Sequence, residues 1–184
     1  KERTVMHYYD QEAGRRINIW SDTDYAGCVR TRKSTTGGVC MIGEHMVKSW
    51  CTTQAVITLS SGEAEYCGLV KGSSIGLGIR GIMSDLGVNG KVKVLTDSSA
   101  AKGISARKGV GRVRHIEVNQ LWVQDKVRTG DIEIIKVDGD KNLGDALTKY
   151  LDASDTIKHC EGTGQYLVVG ERHPLMPLAD CTRK

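Results

Sequence analysis

The chain has 184 residues, a formal net charge of +4 and 39% hydrophobic residues, which suits one domain with a single apolar core. The small net charge excludes a histone-like polycation, so any contact with nucleic acid must come from a local basic patch. The six cysteines form no CxxC pair, which argues against a zinc site, and no apolar run approaches the ~18 residues of a membrane span.

The first predicted strand is the segment 17–22, in which apolar and polar residues alternate before an acidic residue, Asp22. The period of two places Asp22 at the point where the strand leaves its sheet. Residues 1–16 are polar and have no clear period, so we interpret them as an N-terminal lead-in from something upstream.

Two short apolar runs within residues 39–50 predict, with the first strand, a three-strand antiparallel meander. A long helix is predicted to begin after Ser60, because Ser60 and Glu63 have the spacing of a capping box. Its predicted buried stripe runs from Glu65 to Leu86. The stripe contains several glycines, which we expect to allow close packing on a sheet.

The remaining elements are predicted in the order strand 91–97, helix 98–106, helix 115–128, strand 131–137 and helix 142–151. This order favours an α/β fold, with a mixed sheet and helices packed on its faces. Residues 153–184 hold both prolines and have no clear period, so we predict a poorly patterned tail after a domain that spans 17–152.

Four acidic residues belong to separate predicted elements. Strands ending in Asp22 and Asp97, if they are parallel neighbours, bring both carboxylates to the carboxyl edge of the sheet, where α/β sheets bind ligands. Glu65 heads the buried stripe and faces the sheet, whereas Glu63 is explained by the capping box. Asp145 is either a helix-start residue favoured by the helix dipole or a fourth functional acid. Four acids at one edge would repel one another unless divalent cations bind, and oxygen ligands suit Mg²⁺ or Mn²⁺.

Six segments of the sequence resemble, in order and at similar spacing, the ribonuclease H domain of copia-type LTR-retrotransposon polyproteins. They are SDTDYAG, RKSTTGG, SW before LSSGEAEY, LTDSSAA, RHIEV and NLGDALTKYL, and they cover residues 17–151. The resemblance implies the α/β fold of the ribonuclease H-like (integrase) superfamily. That fold has a mixed five-stranded sheet, with three antiparallel strands plus two parallel ones, and helices on both faces.

The resemblance also implies an activity, cleavage of the RNA strand of RNA/DNA hybrids during reverse transcription, with two Mg²⁺ or Mn²⁺ ions. The implied catalytic and metal-binding residues are Asp22, Glu65, Asp97 and Asp145. In the family chemistry, Asp22 and Asp145 hold the ion that activates the water. Asp22, Glu65 and Asp97 hold the ion at the leaving 3′ oxygen.

The sequence departs from cellular ribonucleases H in two places. The loop 137–141 lacks the histidine that cellular enzymes carry before their last helix, which leaves Asp140 or Lys141 as candidates for its part, or a slower step. The basic handle helix of the cellular enzymes is also missing, since few residues separate Ala106 from His115.

Basic and hydroxyl side chains flank the acids in the sequence and could contact the phosphates and 2′-hydroxyls of a hybrid. The candidates are Arg32, Lys33, Ser34, Ser98, Ser99, Arg112, Arg114 and His115. Each could instead belong to a solvated loop, and His115 could be a helix-start residue that contacts backbone or phosphate.

The expected partners are an RNA/DNA hybrid and the reverse transcriptase domain of the same polyprotein, without a membrane, and the isolated domain is expected to be a monomer. The expected location is intracellular, with reduced cysteines, in the cytoplasm, a virus-like particle or the nucleus. Two alternatives stay open: a non-catalytic tether or connection domain of a reverse transcriptase, and a DNA-acting nuclease of the same superfold. An α/β binding domain whose acids merely cap helices is a third.

Overall fold

The computed structural model of the protein describes residues 2–11, 16–109, 111, 116 and 120–169. The strands in this part of the chain are β1 (Glu2–Met6), β2 (Arg16–Asp24), β3 (Thr35–Ile42), β4 (His45–Thr53), β5 (Lys91–Thr96), β6 (Ile132–Lys136) and β7 (Gln165–Val169). The α-helices are α1 (Ser61–Asp85), α2 (Ser99–Ala106), α3 (Trp122–Arg128) and α4 (Ala153–Gly162). None of these helices is long and apolar enough to span a bilayer.

The main sheet has five strands in the order β4-β3-β2-β5-β6. Strands β2, β3 and β4 form an antiparallel meander, while β5 runs parallel to β2 and β6 runs parallel to β5. The predicted mixed sheet is therefore confirmed. Trp20 on β2 pairs with Leu95 on β5. Asp22 and Asp97 each lie two residues beyond this pair, so both are at the carboxyl edge of the sheet.

Helix α1 packs closely on one face of this sheet through glycines. A Cβ atom added to Gly72 would lie 2.9 Å from Ile19 Cγ2, and one added to Gly76 would lie 2.6 Å from Val92 Cγ1. The close packing expected from the glycines is confirmed. The backbone of the helix can approach the strands because these positions have no side chain.

The predicted buried stripe is wrong in its last turns. Ile82 and Leu86 are 59% and 77% exposed. The physical reason is that Ile82 lies on the side of the helix away from the sheet, where a Cβ atom added to Gly78 or Gly81 would meet no neighbouring atom within 4 Å, and that Leu86 follows the last helical residue. Met83, between them, still packs against the core.

The opposite face of the sheet is covered by the loop after β6 and by α4. Trp20 pairs with Val39 across β2 and β3. Val39 lines a cavity together with Leu143 and Leu147 of the loop and Cys160 of α4. Helices thus lie on both faces of the sheet, as the resemblance implied.

The predicted helix over 142–151 is wrong. Residues Gly139–Lys141 and Asp145–Leu147 form two short 3₁₀ turns instead. The reason is tertiary, because the buried side chain of Asn142 donates a hydrogen bond to the carbonyl oxygen of Ser21 at 3.2 Å and accepts one from the Gly144 amide at 3.1 Å. These two bonds hold the chain along the sheet edge, where a continuous helix could not follow.

Residues 153–169 contain two elements that the sequence did not indicate. Helix α4 begins after Asp152, whose side chain accepts a hydrogen bond from the Asp155 amide at 2.8 Å. Strand β7 pairs antiparallel with β1, so that Glu2 lies opposite Val169. The start and end of the described chain therefore meet in a second, two-stranded sheet.

Candidate functional site

Three carboxylates converge at the carboxyl edge of the main sheet. One ligand oxygen from each of Asp22, Glu65 and Asp97 lies within 4.8 Å of the other two. The parallel pairing of β2 and β5 delivers the two aspartates, and the first turns of α1 deliver the glutamate. Asp22 is only 1% exposed, so its charge is largely shielded from water.

Glu65 forms no ion pair with a basic side chain among the described residues, although the charge of Lys149 partly offsets the acids around it. Its Oε2 atom is buried and has no hydrogen-bond partner among the described residues. Burial, together with the charges of Asp22 and Asp97, raises the pKa of Glu65 to about 8. A carboxylate in this setting gains stability from a bound cation, which would replace the proton.

The start of α1 is braced by a buried polar network. Both Gln54 Nε2 and Thr23 Oγ1 donate hydrogen bonds to the Ala64 carbonyl oxygen, at 2.9 and 3.3 Å. Gln54 Nε2 also lies 2.8 Å from Thr36 Oγ1. The network ties the residue before Glu65 to strands β2 and β3.

The choice between Glu63 and Glu65 follows from their contacts. Ser60 Oγ accepts a hydrogen bond from the Glu63 amide at 3.2 Å, which confirms the predicted N-cap. The Glu63 carboxylate accepts one from the Leu59 amide at 2.8 Å, one residue before the position of an ordinary capping box. Glu63 is thus engaged at the helix end, while Glu65 faces Asp22 and Asp97.

Asp145 reaches the cluster because its loop lies directly on the strand ends. A Cβ atom added to Gly144 would lie 2.9 Å from the Asp22 amide nitrogen, and one added to Gly37 would lie 2.8 Å from Leu147 Cβ. Burial and the charge of Asp22 raise the pKa of Asp145 to about 6, although the hydrogen bond from Lys149 opposes this shift. The Asp145 Oδ1 atom is buried without a hydrogen-bond partner among the described residues.

Two further side chains of the same loop contact the acids, and the sequence analysis missed both. Thr148 donates a hydrogen bond to Asp22 Oδ2. Lys149 Nζ lies 2.8 Å from Asp145 Oδ2 and 3.6 Å from Asp22 Oδ1. Partial burial alone would lower the pKa of Lys149, but the hydrogen bond to Asp145 and the charge of Asp22 outweigh it and raise the pKa. The spacing of Asp145 and Lys149, four residues apart, is the signal that could have found this pair.

The candidate substrate residues of the first loop, which joins β2 to β3, differ in their exposure to solvent. Ser34 is fully buried, accepts a hydrogen bond from the Ala26 amide at 3.0 Å and lies 3.3 Å from the Thr58 hydroxyl. A substrate contact by Ser34 is therefore a prediction that the structure does not favour, because its hydroxyl is engaged inside the protein. Arg32 is exposed on the same loop, with a backbone φ of 57°.

The second group of candidates lies at the start of α2. The Ser98 side chain caps that helix by accepting a hydrogen bond from the Ala101 amide at 3.1 Å, and Ser99 is exposed. Lys33, on the first loop, is half-buried. Arg112, Arg114 and His115 lie outside the residues that the structure describes.

A histidine that the sequence analysis did not consider lies near the fourth acid. His159 on α4 lines a cavity of about 180 Å³ together with Asp140 and Asp145. Its Nδ1 atom is buried without a hydrogen-bond partner in the described part of the chain, and burial lowers its pKa. The loop 137–141 has no histidine of its own. His159 of α4 instead places an imidazole beside this loop, near Asp140 and Asp145.

The donor set fits divalent metal ions. The four acids have Lys149 as the one basic side chain that pairs with them among the described residues, and the buried Glu65 Oε2 and Asp145 Oδ1 atoms have no hydrogen-bond partner there. Closely spaced carboxylate oxygens are the ligands that Mg²⁺ and Mn²⁺ prefer.

No protein-family model matches the chain. The chain is 27% identical over 132 residues to the retrovirus-related Pol polyprotein from transposon TNT 1-94 of Nicotiana tabacum, a match that covers 71% of this chain and 10% of that protein. It is 27% identical over 138 residues to the Pol polyprotein from transposon RE2 of Arabidopsis thaliana, covering 73% of this chain and 10% of the relative. The match thus spans about a tenth of these relatives.

Two solved structures share the fold. The N-terminal ribonuclease H domain of a Mycobacterium tuberculosis protein, fused to maltose binding protein, has a TM-score of 0.50 and 21% identity, covering 72% of this chain and 90% of that one. A ribonuclease H1 isolated from compost by a metagenomic approach has a TM-score of 0.50 and 17% identity, covering 73% and 93% of the two chains.

Proposed function

We propose that the chain is a ribonuclease H domain of the copia-type retrotransposon kind and that it cleaves the RNA strand of RNA/DNA hybrids. The proposal is supported by the similarity to the Pol polyproteins and to the ribonuclease H structures. The observation that carries the proposal is the convergence of Asp22, Glu65 and Asp97 within 4.8 Å, where the buried Glu65 Oε2 atom has no hydrogen-bond partner among the described residues. A tether that only holds a polyprotein together gains nothing from such a repulsive cluster.

The residues divide between two metal positions. Asp22, Glu65 and Asp97 would hold one ion, and Asp22 and Asp145 would hold the other. When bound, two divalent ions supply the Lewis acidity that makes a water nucleophilic and stabilises the leaving 3′ oxygen of the scissile phosphodiester.

The remaining site residues orient these ligands. Thr148 fixes the Asp22 carboxylate by donating to its Oδ2 atom, and Asn142 holds the loop that carries Asp145 against the Ser21 carbonyl. Gln54 ties the start of α1 to the sheet and thereby positions Glu65. Each ligand is thus set on a strand, a helix or a docked loop before substrate arrives.

The proposed substrate and partners rest on the same similarity to Pol polyproteins and ribonucleases H. The loop with Arg32 and Lys33 and the start of α2 with Ser98 and Ser99 supply cationic and hydroxyl groups for the phosphates and 2′-hydroxyls of a hybrid. The substrate of this activity, the RNA/DNA hybrid, is the product of a reverse transcriptase. We propose the reverse transcriptase domain of the same polyprotein as the partner, and the inside of the cell or of its virus-like particles as the location.

A cleavage assay tests the function. The protein is incubated with labelled RNA/DNA hybrid, RNA duplex or DNA duplex in Mg²⁺, Mn²⁺ or EDTA, alongside Asp97→Asn and the control Asp125→Asn. Asp125 is an exposed α3 acid that pairs with Arg128 at 3.0 Å. We expect metal-dependent cleavage of hybrid RNA, lost in Asp97→Asn and kept in Asp125→Asn. Cleavage of DNA duplex would favour a DNA-acting nuclease, and no cleavage of any substrate would favour a tether.

A further inference from the structure

The ammonium group of Lys149 stands between the two carboxylates of the second metal position. It lies 2.8 Å from Asp145 Oδ2 and 3.6 Å from Asp22 Oδ1. The side chain of Asp145 is 15% exposed and that of Asp22 is 1% exposed, so this positive charge lies against two carboxylates that have little access to water. Removing one partner of such a pair costs more than breaking a surface ion pair, because it leaves a shielded charge without compensation.

The same oxygens cannot hold the ammonium group and a divalent ion together. Mg²⁺ binds oxygen at about 2.0–2.1 Å and needs a near-octahedral shell. An ion bound to Asp145 Oδ2 would lie within a few ångströms of Lys149 Nζ, where two like charges repel strongly in a partly buried site. Lys149 must therefore leave Asp145 before a metal ion enters this half of the site.

The three-carboxylate half of the site is different. Glu65 Oε2 has no partner among the described residues. No ion pair links Lys149 to Glu65 or Asp97 in the described structure, whereas it pairs with Asp145 and Asp22. A divalent ion can therefore bind Glu65 and Asp97, together with the Asp22 carboxylate, while Lys149 keeps its 2.8 Å ion pair with Asp145.

The lysine can move without disturbing the loop. The Lys149 amide donates to the Asp145 carbonyl oxygen at 3.0 Å, which anchors its backbone, while the side chain is 45% exposed. Its flexible stem can swing into solvent. A phosphate of the bound nucleic acid would offer the ammonium group a new partner of the same charge as the one it leaves.

We propose that Lys149 is a placeholder cation, which occupies the Asp145 half of the site in the free protein and is displaced when the second metal ion binds. The inference rests on the proposed function, because it concerns the order in which the same site fills. The free protein binds one divalent ion tightly at Asp22, Glu65 and Asp97. The second ion binds weakly until a substrate phosphate draws Lys149 away.

Metal titration of the substrate-free protein tests the proposal without any cleavage. Isothermal titration with Mn²⁺ and the electron paramagnetic resonance signal of coupled Mn²⁺ pairs are compared for the natural protein, Lys149→Met and Lys149→Arg. We expect one tight site in the natural protein and in Lys149→Arg, which keeps a cation. In Lys149→Met we expect a second site at least tenfold tighter than in the natural protein, with a coupled-pair signal.

The matched control is Lys126→Met. Lys126 makes an ion pair of similar length, 2.9 Å to Asp131, but it lies on α3 beside the start of β6, at the opposite end of the sheet from the acids. Its removal should leave the metal stoichiometry unchanged. Thermal unfolding of each variant confirms that the titrated protein is folded.

Two results would overturn the placeholder: equally tight binding of two ions by the natural protein and Lys149→Met, or weaker second-site binding in Lys149→Met. The metal titration tests the placeholder independently of the cleavage assay, which tests the proposed function. Absence of hybrid cleavage with the expected change in stoichiometry would reject the ribonuclease activity and keep the placeholder. Normal cleavage with unchanged stoichiometry would do the reverse.

Discussion

Thr148 donates a hydrogen bond to the carboxylate of Asp22, although the two residues are 126 positions apart in the sequence. Because the bond orients Asp22, which both metal positions share, Thr148→Val should weaken binding of divalent metal. The expected loss is about fivefold, which corresponds to the ~1 kcal/mol net worth of such a bond. Metal titration measures it, and Thr148→Ser should restore the natural affinity. Unchanged affinity in Thr148→Val would show that the bond has no part in holding the ligand.

Gly144→Ala should damage the site without straining its own backbone. Gly144 has φ −70° and ψ −27°, which alanine adopts readily, so the effect comes from the added Cβ atom that would lie 2.9 Å from the Asp22 amide nitrogen. We expect lower metal affinity, lower cleavage and a loss of about 1–3 kcal/mol in the free energy of unfolding. Chemical denaturation and metal titration measure these effects. Gly103→Ala on α2, which would meet no atom within 4 Å, serves as the control and should leave metal affinity unchanged.

The glycines of α1 should separate into two classes on substitution by alanine. Gly76→Ala should lower the free energy of unfolding by about 1–3 kcal/mol, because its Cβ atom would lie 2.6 Å from Val92 Cγ1. Gly78→Ala, two positions along the same helix, would meet nothing within 4 Å and should raise it by up to about 1 kcal/mol. Urea denaturation of both variants compares them. Equal effects would mean that α1 does not rest on β5 as described.

The stability of the metal-free protein should fall as the pH rises through the neutral range. The pKa of Glu65 is raised from 4.5 to about 8, so between these values the native state keeps a proton that the unfolded chain has lost. The free energy of unfolding then decreases with pH, by an amount on the order of 3 kcal/mol. Thermal unfolding in EDTA from pH 5 to 8.5 should show this slope.

Two controls isolate the origin of that slope. Glu65→Gln should flatten it, because the amide has no proton to lose. Mg²⁺ should raise the melting temperature more at pH 8 than at pH 5, since the ion competes with the proton on Glu65. A slope above pH 6 that persists in Glu65→Gln would place the titrating group elsewhere, because Asp145, whose pKa is raised to about 6, accounts for a slope only below that value.

Binding of RNA/DNA hybrid should weaken steeply with salt. Each phosphate contact that Arg32 or Lys33 makes releases a counterion when it forms, so Arg32→Ala/Lys33→Ala should reduce the slope of log affinity against log salt by about 1–2. Fluorescence anisotropy between about 50 and 300 mM salt gives the slope. The titration is carried out in Ca²⁺ so that cleavage is slow. Lys91→Ala, at the start of β5 and away from the acids, should leave it unchanged. A flat response in the natural protein would exclude a groove that follows phosphates.

The strands of the main sheet and the acids at their ends were predictable because both depend on short-range patterns. Alternation in β2 and β5 identifies strands, and the parallel pairing then brings Asp22 and Asp97 together. Glu65 could be separated from Glu63 by the capping box alone. In these cases the local pattern and the tertiary structure agree.

The rest depended on contacts between distant residues. The interval after Lys141 has a helical pattern, yet the bond from Asn142 to the Ser21 carbonyl keeps it on the sheet edge. Helix α4 contains no buried residue, and its Ile157 is 43% exposed, so it had no apolar stripe to find. The pairing of Lys149 with Asp145 had a local signal in their four-residue spacing, but its approach to Asp22, in the first strand of the main sheet, had none.

The long sequence separation of the site's two halves also sets an order of assembly. A chain that leaves the ribosome N-terminus first can form β2, α1 and β5 before residues 142–149 emerge. Asp22, Glu65 and Asp97 can then meet while Asp145, Thr148 and Lys149 are still unsynthesised. The fourth acid and the lysine that balances it arrive together in one short segment. The segment synthesised last among the site's residues therefore supplies both the fourth acid and the cation that completes the charge balance of the three acids before it.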